Sequence, residues 1–226
     1  MNQNFSLLTF YSSKVDTIPD IQNDNESLIV TKIYQALGEI SSQNFRKAAD
    51  IFTGISFSSL KGRILHPCDV ARLGLYCAFS SYERCEILAL LDKENFREYL
   101  DADPESREIL TMFRKGQFAL CLNHFQNKKS ALINDCYLRV QVDSMVERIA
   151  EFFLIKYIQP YSSVLFRNIS DNFSIPLDTV EEKILHLIRK EKLSGRIDGI
   201  DKIFIAVEKN YRNDCIELMN RLGEKF

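Results

Sequence analysis

Three histidines and six cysteines have the widest chemical reach in this 226-residue sequence, and their spacing decides what they can do. A local zinc-hydrolase motif needs His-x-His with further carboxylates as ligand and base. His66, His124 and His186 are far apart, and Leu65-His66-Pro67 lacks the second histidine. Each reads as a structural or surface histidine. Cys121 and His124 lie three apart on one predicted helix and so could face the same way, as a nucleophile and its base must. Cys121 also falls on the apolar stripe of Phe118 and Phe125, which favours a core thiol. Cys68, Cys77, Cys85, Cys121, Cys136 and Cys215 contain no CxxC pair and read as reduced core thiols of the cytosol or nucleus, not as disulfides. The eight glycines form neither GxGxxG nor GxxxxGK, so there is no phosphate-cradling loop. Catalytic residues, metal ligands and cofactors are all read as none, with a cysteine hydrolase as the last-ranked alternative.

Composition narrows the field further. Hydrophobic residues make up 46% and charged residues 27%, enough for a real core. The 29 basic and 31 acidic residues leave a formal charge of −2, so no overall basic field attracts nucleic acid or an anionic membrane. The longest apolar runs, 73–79 and 203–207, fall far short of the roughly 18 residues that a spanning helix needs. Residues 1–10 lack the basic start and apolar centre of a secretory signal.

The elements that would position any site are mostly helices. Residues 1–24 are polar and aperiodic and read as a leader. From Asn25, Ile29, Ile33, Ala36, Leu37 and Ile40 recur at helical spacing, as do Phe45, Ala48, Ala49 and Phe52. The polar connector 41–44 makes the pair a hairpin. Tyr34-x-x-Leu37-Gly38 and Ala48-x-x-x-Phe52 match part of a tetratricopeptide signature, with Gly38 and Ala48 small at the close approach and Tyr34 and Phe52 filling the gaps. One such unit cannot bury its own faces and must stack on further helices. Residues 66–91 read as another helical pair, with Pro67 at its start. Asp103-Pro104-Glu105 opens a helix that presents Ile109, Leu110 and Phe113 and stops at Gly116. A short helix marked by Phe118, Cys121, Leu122 and Phe125 follows, then a long one from about 137 to 158, ended by Pro160.

After Tyr161 the pattern changes. A short strand over 162–164 precedes helices over 165–173 and 176–192. Residues 195–198 and 202–207 then flank Gly199-Ile200-Asp201 as a β-hairpin. Strand, helix, helix, strand, wing, strand is the order of a winged helix. Tyr211, Cys215, Leu218 and Leu222 resume helical spacing near the end. The expected fold is mainly α, a TPR-like stack of antiparallel helix pairs followed by a C-terminal winged helix. Its divisions are a leader over 1–24, a helical-repeat subdomain over 25–160, a winged-helix subdomain over 161–209 and a helical tail over 210–226.

Helical repeats running into a winged helix resemble the PCI domain, shared by the proteasome lid, the COP-nine signalosome and a translation initiation complex. The resemblance runs from about Glu26 to Lys209 and is carried by Phe45-Arg-Lys-Ala-Ala49, Asp69-Val-Ala-Arg-Leu-Gly-Leu-Tyr-Cys-Ala78, Phe96-Arg-Glu-Tyr-Leu100, Arg107-Glu-Ile-Leu110, Tyr157-Ile-Gln-Pro-Tyr161, Gly195-Arg-Ile-Asp198 and Lys202-Ile-Phe-Ile-Ala206. Within the family it is greatest to the subunit-one branch of the signalosome and next to the related proteasome-lid branch. Members of that branch carry longer helical arrays at both ends than this sequence does, so contacts made through those parts are not carried over. The resemblance implies a non-catalytic scaffold, cytoplasmic and nuclear. Its partners would be other PCI subunits and, indirectly, a zinc isopeptidase subunit that removes the ubiquitin-like modifier from cullins. It further implies a place between subunits two and three, joined through winged-helix sheets and bundled tails. No membrane partner is expected.

Two surfaces are candidates for that role. Ile203, Ile205 and Val207 alternate with Phe204 and Ala206, so the last strand is apolar on both faces. The preceding helices cover one face. Phe204 and its edge are assigned to strand addition by a neighbouring winged helix, unless the chain's own tail covers them. Tyr211, Cys215, Leu218 and Leu222 form the second surface, for a helical bundle with partners or for packing back on the wing. The rival binding reading is a nucleic-acid adaptor, for which helix 177–192 would be the reader. Its four acids (Asp178, Glu181, Glu182, Glu191) balance its four bases (Lys183, Arg189, Lys190, Lys192), and the acidic first turn would repel phosphate.

Overall fold

The computed structural model describes residues 25–60, 65–133 and 139–207. It divides into two compact units, Met1–Phe153 and Leu154–Phe226. The leader expected over 1–24 lies outside the described residues.

In the first unit, α1 (Asn25–Ser41) and α2 (Phe45–Gly54) form the expected hairpin. It turns at Gln43, whose φ is 61°. Asn44 secures that turn through its amide to Glu39 Oε2 at 2.8 Å. Ile33, Ala36, Leu37 and Ile40 are buried against α2, whose Phe45, Ala48, Ala49 and Phe52 are buried too. Tyr34 departs from the repeat signature: it is 37% exposed and fills no gap between helices. A close approach is also made at Gly74, on the next helix. A Cβ there would lie 3.0 Å from the ring of Phe96 and 3.3 Å from Phe52.

That next helix is α3 (Pro67–Ser81), followed by the short α4 (Arg84–Ala89), the two helices expected over 66–91, although α3 packs chiefly on α2. Two further helices, α5 (Glu94–Ala102) and α6 (Pro104–Arg114), are separated by Asp103 alone. α5 has no counterpart among the sequence-based elements. Gly116, at φ 76°, closes the turn after α6. The helix begun by Phe118 is longer than expected, running as α7 to Ile133. By contrast, α8 (Val142–Ile158) starts later than the expected position near 137. Gln141 occupies the turn before it and is tied to the α1–α2 hairpin, donating to the Ser41 carbonyl at 3.0 Å and accepting from Gln43 at 3.1 Å. The core of this unit is aromatic. Phe79 meets Phe113, Phe125 and Phe153 edge-on, with ring centroids 5.1 to 5.4 Å apart.

In the second unit, β1 (Ser163–Leu165), α9 (Phe166–Phe173), α10 (Leu177–Arg189), β2 (Gly195–Asp198) and β3 (Ile203–Ala206) follow the winged-helix order. Ser174, in the left-handed region at φ 53°, ends α9. The sheet is antiparallel in the order β1-β3-β2. Its inner face meets a core of Phe166, Ile169, Phe173, Val180, Ile184, Leu187 and Leu193. The tail expected over 210–226, with Tyr211, Cys215, Leu218 and Leu222, lies outside the described residues.

Candidate partner-binding site in the winged-helix unit

β3 is the central strand. Its register pairs Val164, Phe204 and Ile197 across the sheet, and likewise Ser163, Ile205 and Arg196. Hydrogen bonds beyond the strand ends fix which groups pair. Ala206 N–H donates to the Ser162 carbonyl at 2.8 Å, Val207 N–H to Ser194 at 3.1 Å, and Phe166 N–H to Lys202 at 2.9 Å. By antiparallel alternation, the N–H and C=O of Ser163 and Leu165 then point to the open side of β1. Those of Gly195 and Ile197 point to the open side of β2. Among the described residues, no strand pairs with either side.

This corrects the sequence-based assignment of Phe204. The residue is 1% exposed and lies on the inner face opposite Val164. Its ring fills the space beside Gly195, where a Cβ would strike it and come within 2.7 Å of the Ile205 carbonyl. A central strand already paired on both sides has no edge to offer. Ala206 shares the inner side, facing Gly195. Ile203 and Ile205 are partly exposed on the outer face, and Val207 is 56% exposed. The groups available for strand addition therefore belong to β1 and β2, which periodicity along β3 could not reveal.

The wing between β2 and β3 is internally braced. The Asp198 carboxylate accepts from the backbone N–H of Ile200 at 2.9 Å and of Asp201 at 3.3 Å. Lys202 Nζ reaches Glu181 Oε2 of α10 at 2.6 Å. That pair uses one of the acids that α10 carries beyond its first turn in fixing the wing.

The residues considered for chemistry are placed differently. Cys121 is fully buried, its thiol directed at the Ile109 carbonyl at 3.7 Å. Burial pushes its pKa up to about 12, opposite to the activation of a nucleophile. His124 Nε2 stands 3.4 Å from Glu105 Oε1, which also takes Lys128 Nζ at 2.8 Å. Burial lowers the His124 pKa, and this outweighs the pull of the Glu105 carboxylate. His66 is the N-cap of α3: its Nδ1 accepts from Cys68 N–H at 3.4 Å, and its own N–H donates to Asp69 at 3.3 Å. His186 sits in the last turn of α10. Cys68, Cys77, Cys85 and Cys121 are free thiols, while Cys136 and Cys215 lie outside the described residues. Among the described residues, no three His, Cys, Asp or Glu side chains gather as a metal site. No described helix is long and apolar enough to cross a membrane.

Comparison with known proteins gives this architecture a family. The PCI domain matches residues 109–208, a span that takes in the whole winged helix. Subunit 1 of the COP9 signalosome complex from Arabidopsis thaliana is 27% identical over 98% of this chain and 51% of its own length. The Neurospora crassa subunit 1 is also 27% identical, over 85% of this chain and 47% of its own length. Non-ATPase regulatory subunit 6 of the 26S proteasome from Dictyostelium discoideum is 20% identical over 86% of the chain and 51% of its own length. The chain thus spans about half the length of the curated relatives it matches. Beside the helix stack and the three-stranded winged-helix sheet, these matches show a PCI domain over residues 109–208 in a chain related to subunit 1 of the COP9 signalosome and more distantly to a proteasome regulatory subunit.

Proposed function

We propose that this chain is a non-catalytic scaffold subunit of a multi-subunit PCI complex, most closely of the signalosome type. The observation that carries the reading is the sheet order β1-β3-β2 within the matched PCI domain. It presents two open strand edges at once, one for each of two neighbouring winged helices. The relatives support the same assignment, since each is named as a subunit of a large assembly. In this reading Ser163, Leu165, Gly195 and Ile197 supply backbone hydrogen bonds to partners. The inward Phe204 and Ala206 keep the sheet rigid behind them, and Ile203 and Ile205 form its outer surface. Tyr211, Cys215, Leu218 and Leu222 supply a helical contact to the bundled tails of other subunits. Removal of the ubiquitin-like modifier from cullins falls to a zinc isopeptidase in another subunit, and the assembly works in cytoplasm and nucleus.

The test is purification of the tagged full chain from its native cells at moderate salt, with mass spectrometry of what accompanies it. Several PCI subunits together with a metalloisopeptidase are expected. The identity of that isopeptidase separates the signalosome from the proteasome lid. Recovery of nucleic acid, or of the chain alone, would overturn the scaffold reading.

A further inference from the structure

The two open edges of the winged-helix sheet differ in charge. On the β1 side, residues 161–165 carry none, and Leu165 is 45% exposed. On the β2 side, Arg196 stands on the outer face between Gly195 and Ile197, the two residues whose backbone groups are open. Arg189 at the end of α10, and Lys190 and Lys192 after it, are all exposed and lead into β2, against the one acid Glu191. Acids lie at the other end of the edge. Asp198 turns its carboxylate to the wing's own N–H groups, and Asp201 follows it in the wing.

On the reading that open edges receive strands, we propose that the β2 edge takes an acidic extended segment of another protein, paired antiparallel, with a Glu or Asp opposite Arg196. A strand that bonds to both Gly195 and Ile197 sets its intervening residue directly across from Arg196. That position is a non-hydrogen-bonded pair, the closer kind, and both side chains stand on the outer face. A second acid two places further along the incoming strand lies toward the bases at 189–192. Two places before the first acid, opposite Asp198, the strand is uncharged or basic. The same register tells against a second copy of this chain. Two β2 edges joined through Gly195 and Ile197 would set the Arg196 of each copy opposite that of the other, and like charges directly opposite are destabilising. The wing tells against nucleic acid. Its tip is Ile200, 93% exposed, with Asp201 beside it, and the first turn of α10 carries Asp178. Apolar and acidic groups at those points suit a protein surface and not a phosphate backbone. Nothing charged on β1 matches Arg196, so the acidic strand has one place on the sheet.

The experiment is amide hydrogen exchange of the full chain, read residue by residue by NMR, with synthetic octapeptides in which Glu, Gln or Lys alternates with Thr. Saturating Glu peptide should slow exchange at Gly195 and Ile197 about tenfold or more, and leave Ser163 and Leu165 unchanged. It should also bind about tenfold more tightly than the Lys peptide, by a margin that narrows as salt is raised. Arg196→Glu, at an exposed position, should reverse that order, with circular dichroism to show that the variant keeps its fold. Equal protection of β2 by the Glu and Lys peptides would overturn the proposal and leave strand addition standing. Protection of neither edge by any of the three would overturn both. Protection of Ser163 and Leu165 by the Glu peptide, as strong as that of β2, would overturn the assignment to this edge. Slowing at Gly195 and Ile197 that grows with protein concentration, without peptide, would overturn it in favour of a second copy. Slowing there by a single-stranded oligonucleotide would do so in favour of nucleic acid.

Discussion

The ring of Phe204 stands where a side chain on Gly195 would have to go, although the two residues are on neighbouring strands and are not direct register partners. Glycine at 195 is therefore a packing requirement. Gly195→Ala should destabilise the winged-helix unit by about 1–3 kcal/mol, through displacement of the ring and of the Ile205 carbonyl. Chemical denaturation followed by hydrogen exchange in β2 and β3 would measure it. Unchanged stability would mean that Phe204 has room to move.

The open edges can be closed without touching the sheet's own hydrogen bonds. Ser163 is exposed and its N–H points away from β3, so Ser163→Pro removes only a donor to a partner. Ile197→Pro does the same on β2, at the additional cost of a partly buried side chain. Each variant should lose one set of co-purifying PCI subunits while keeping its circular dichroism. Retention of every partner by both would sink strand addition.

Asp103 holds the junction between α5 and α6. Its carboxylate is 5% exposed and accepts from Arg72 Nη2 at 3.0 Å and from the Ser106 hydroxyl at 2.6 Å. Asp103→Ala leaves that hydroxyl without its acceptor and should cost about 1.5–3 kcal/mol, the range for hydrogen bonds to a charged group. Arg72→Ala should cost less, because the arginine side chain is 46% exposed. Urea unfolding of the three proteins tests the order.

His124 makes the helical unit sensitive to acid. Burial lowers its folded-state pKa below the ordinary 6.5, so the unfolded chain binds the proton more readily. The stability associated with this group is complete above the unfolded pKa and is lost as pH falls below about 6.5. His124→Gln should flatten the stability profile in that window while leaving the carboxylate-dependent fall at lower pH. Midpoints of urea unfolding between pH 7.5 and 5 would show the difference.

Much of this was legible along the chain. The stripe from Ile33 to Ile40, the Pro104 start and the wing around Gly199 are local features, and local physics carried them into the structure. α5 escaped because its nine residues bury only Phe96, Tyr99 and Leu100, too few to mark a period. The start of α8 was hidden because Gln141 is held by Ser41 and Gln43, about a hundred positions earlier. Alternation along β3 gave two faces and no way to rank them. The aromatic residue faces inward because Gly195 leaves space for its ring, a fact of the neighbouring strand. Which strand is central is likewise decided by pairing between distant segments.

That pairing also sets an order of events during synthesis. β1 and β2 share no hydrogen bonds, and each pairs only with β3. No part of the sheet can close until residues 203–206 have emerged from the ribosome, some forty positions after β1. The helical unit will already have been made, and can begin to fold, while both flanking strands wait unpaired. Newly made chains should thus pass through an interval in which the outer edges of β1 and β2 are exposed before the strand between them has formed.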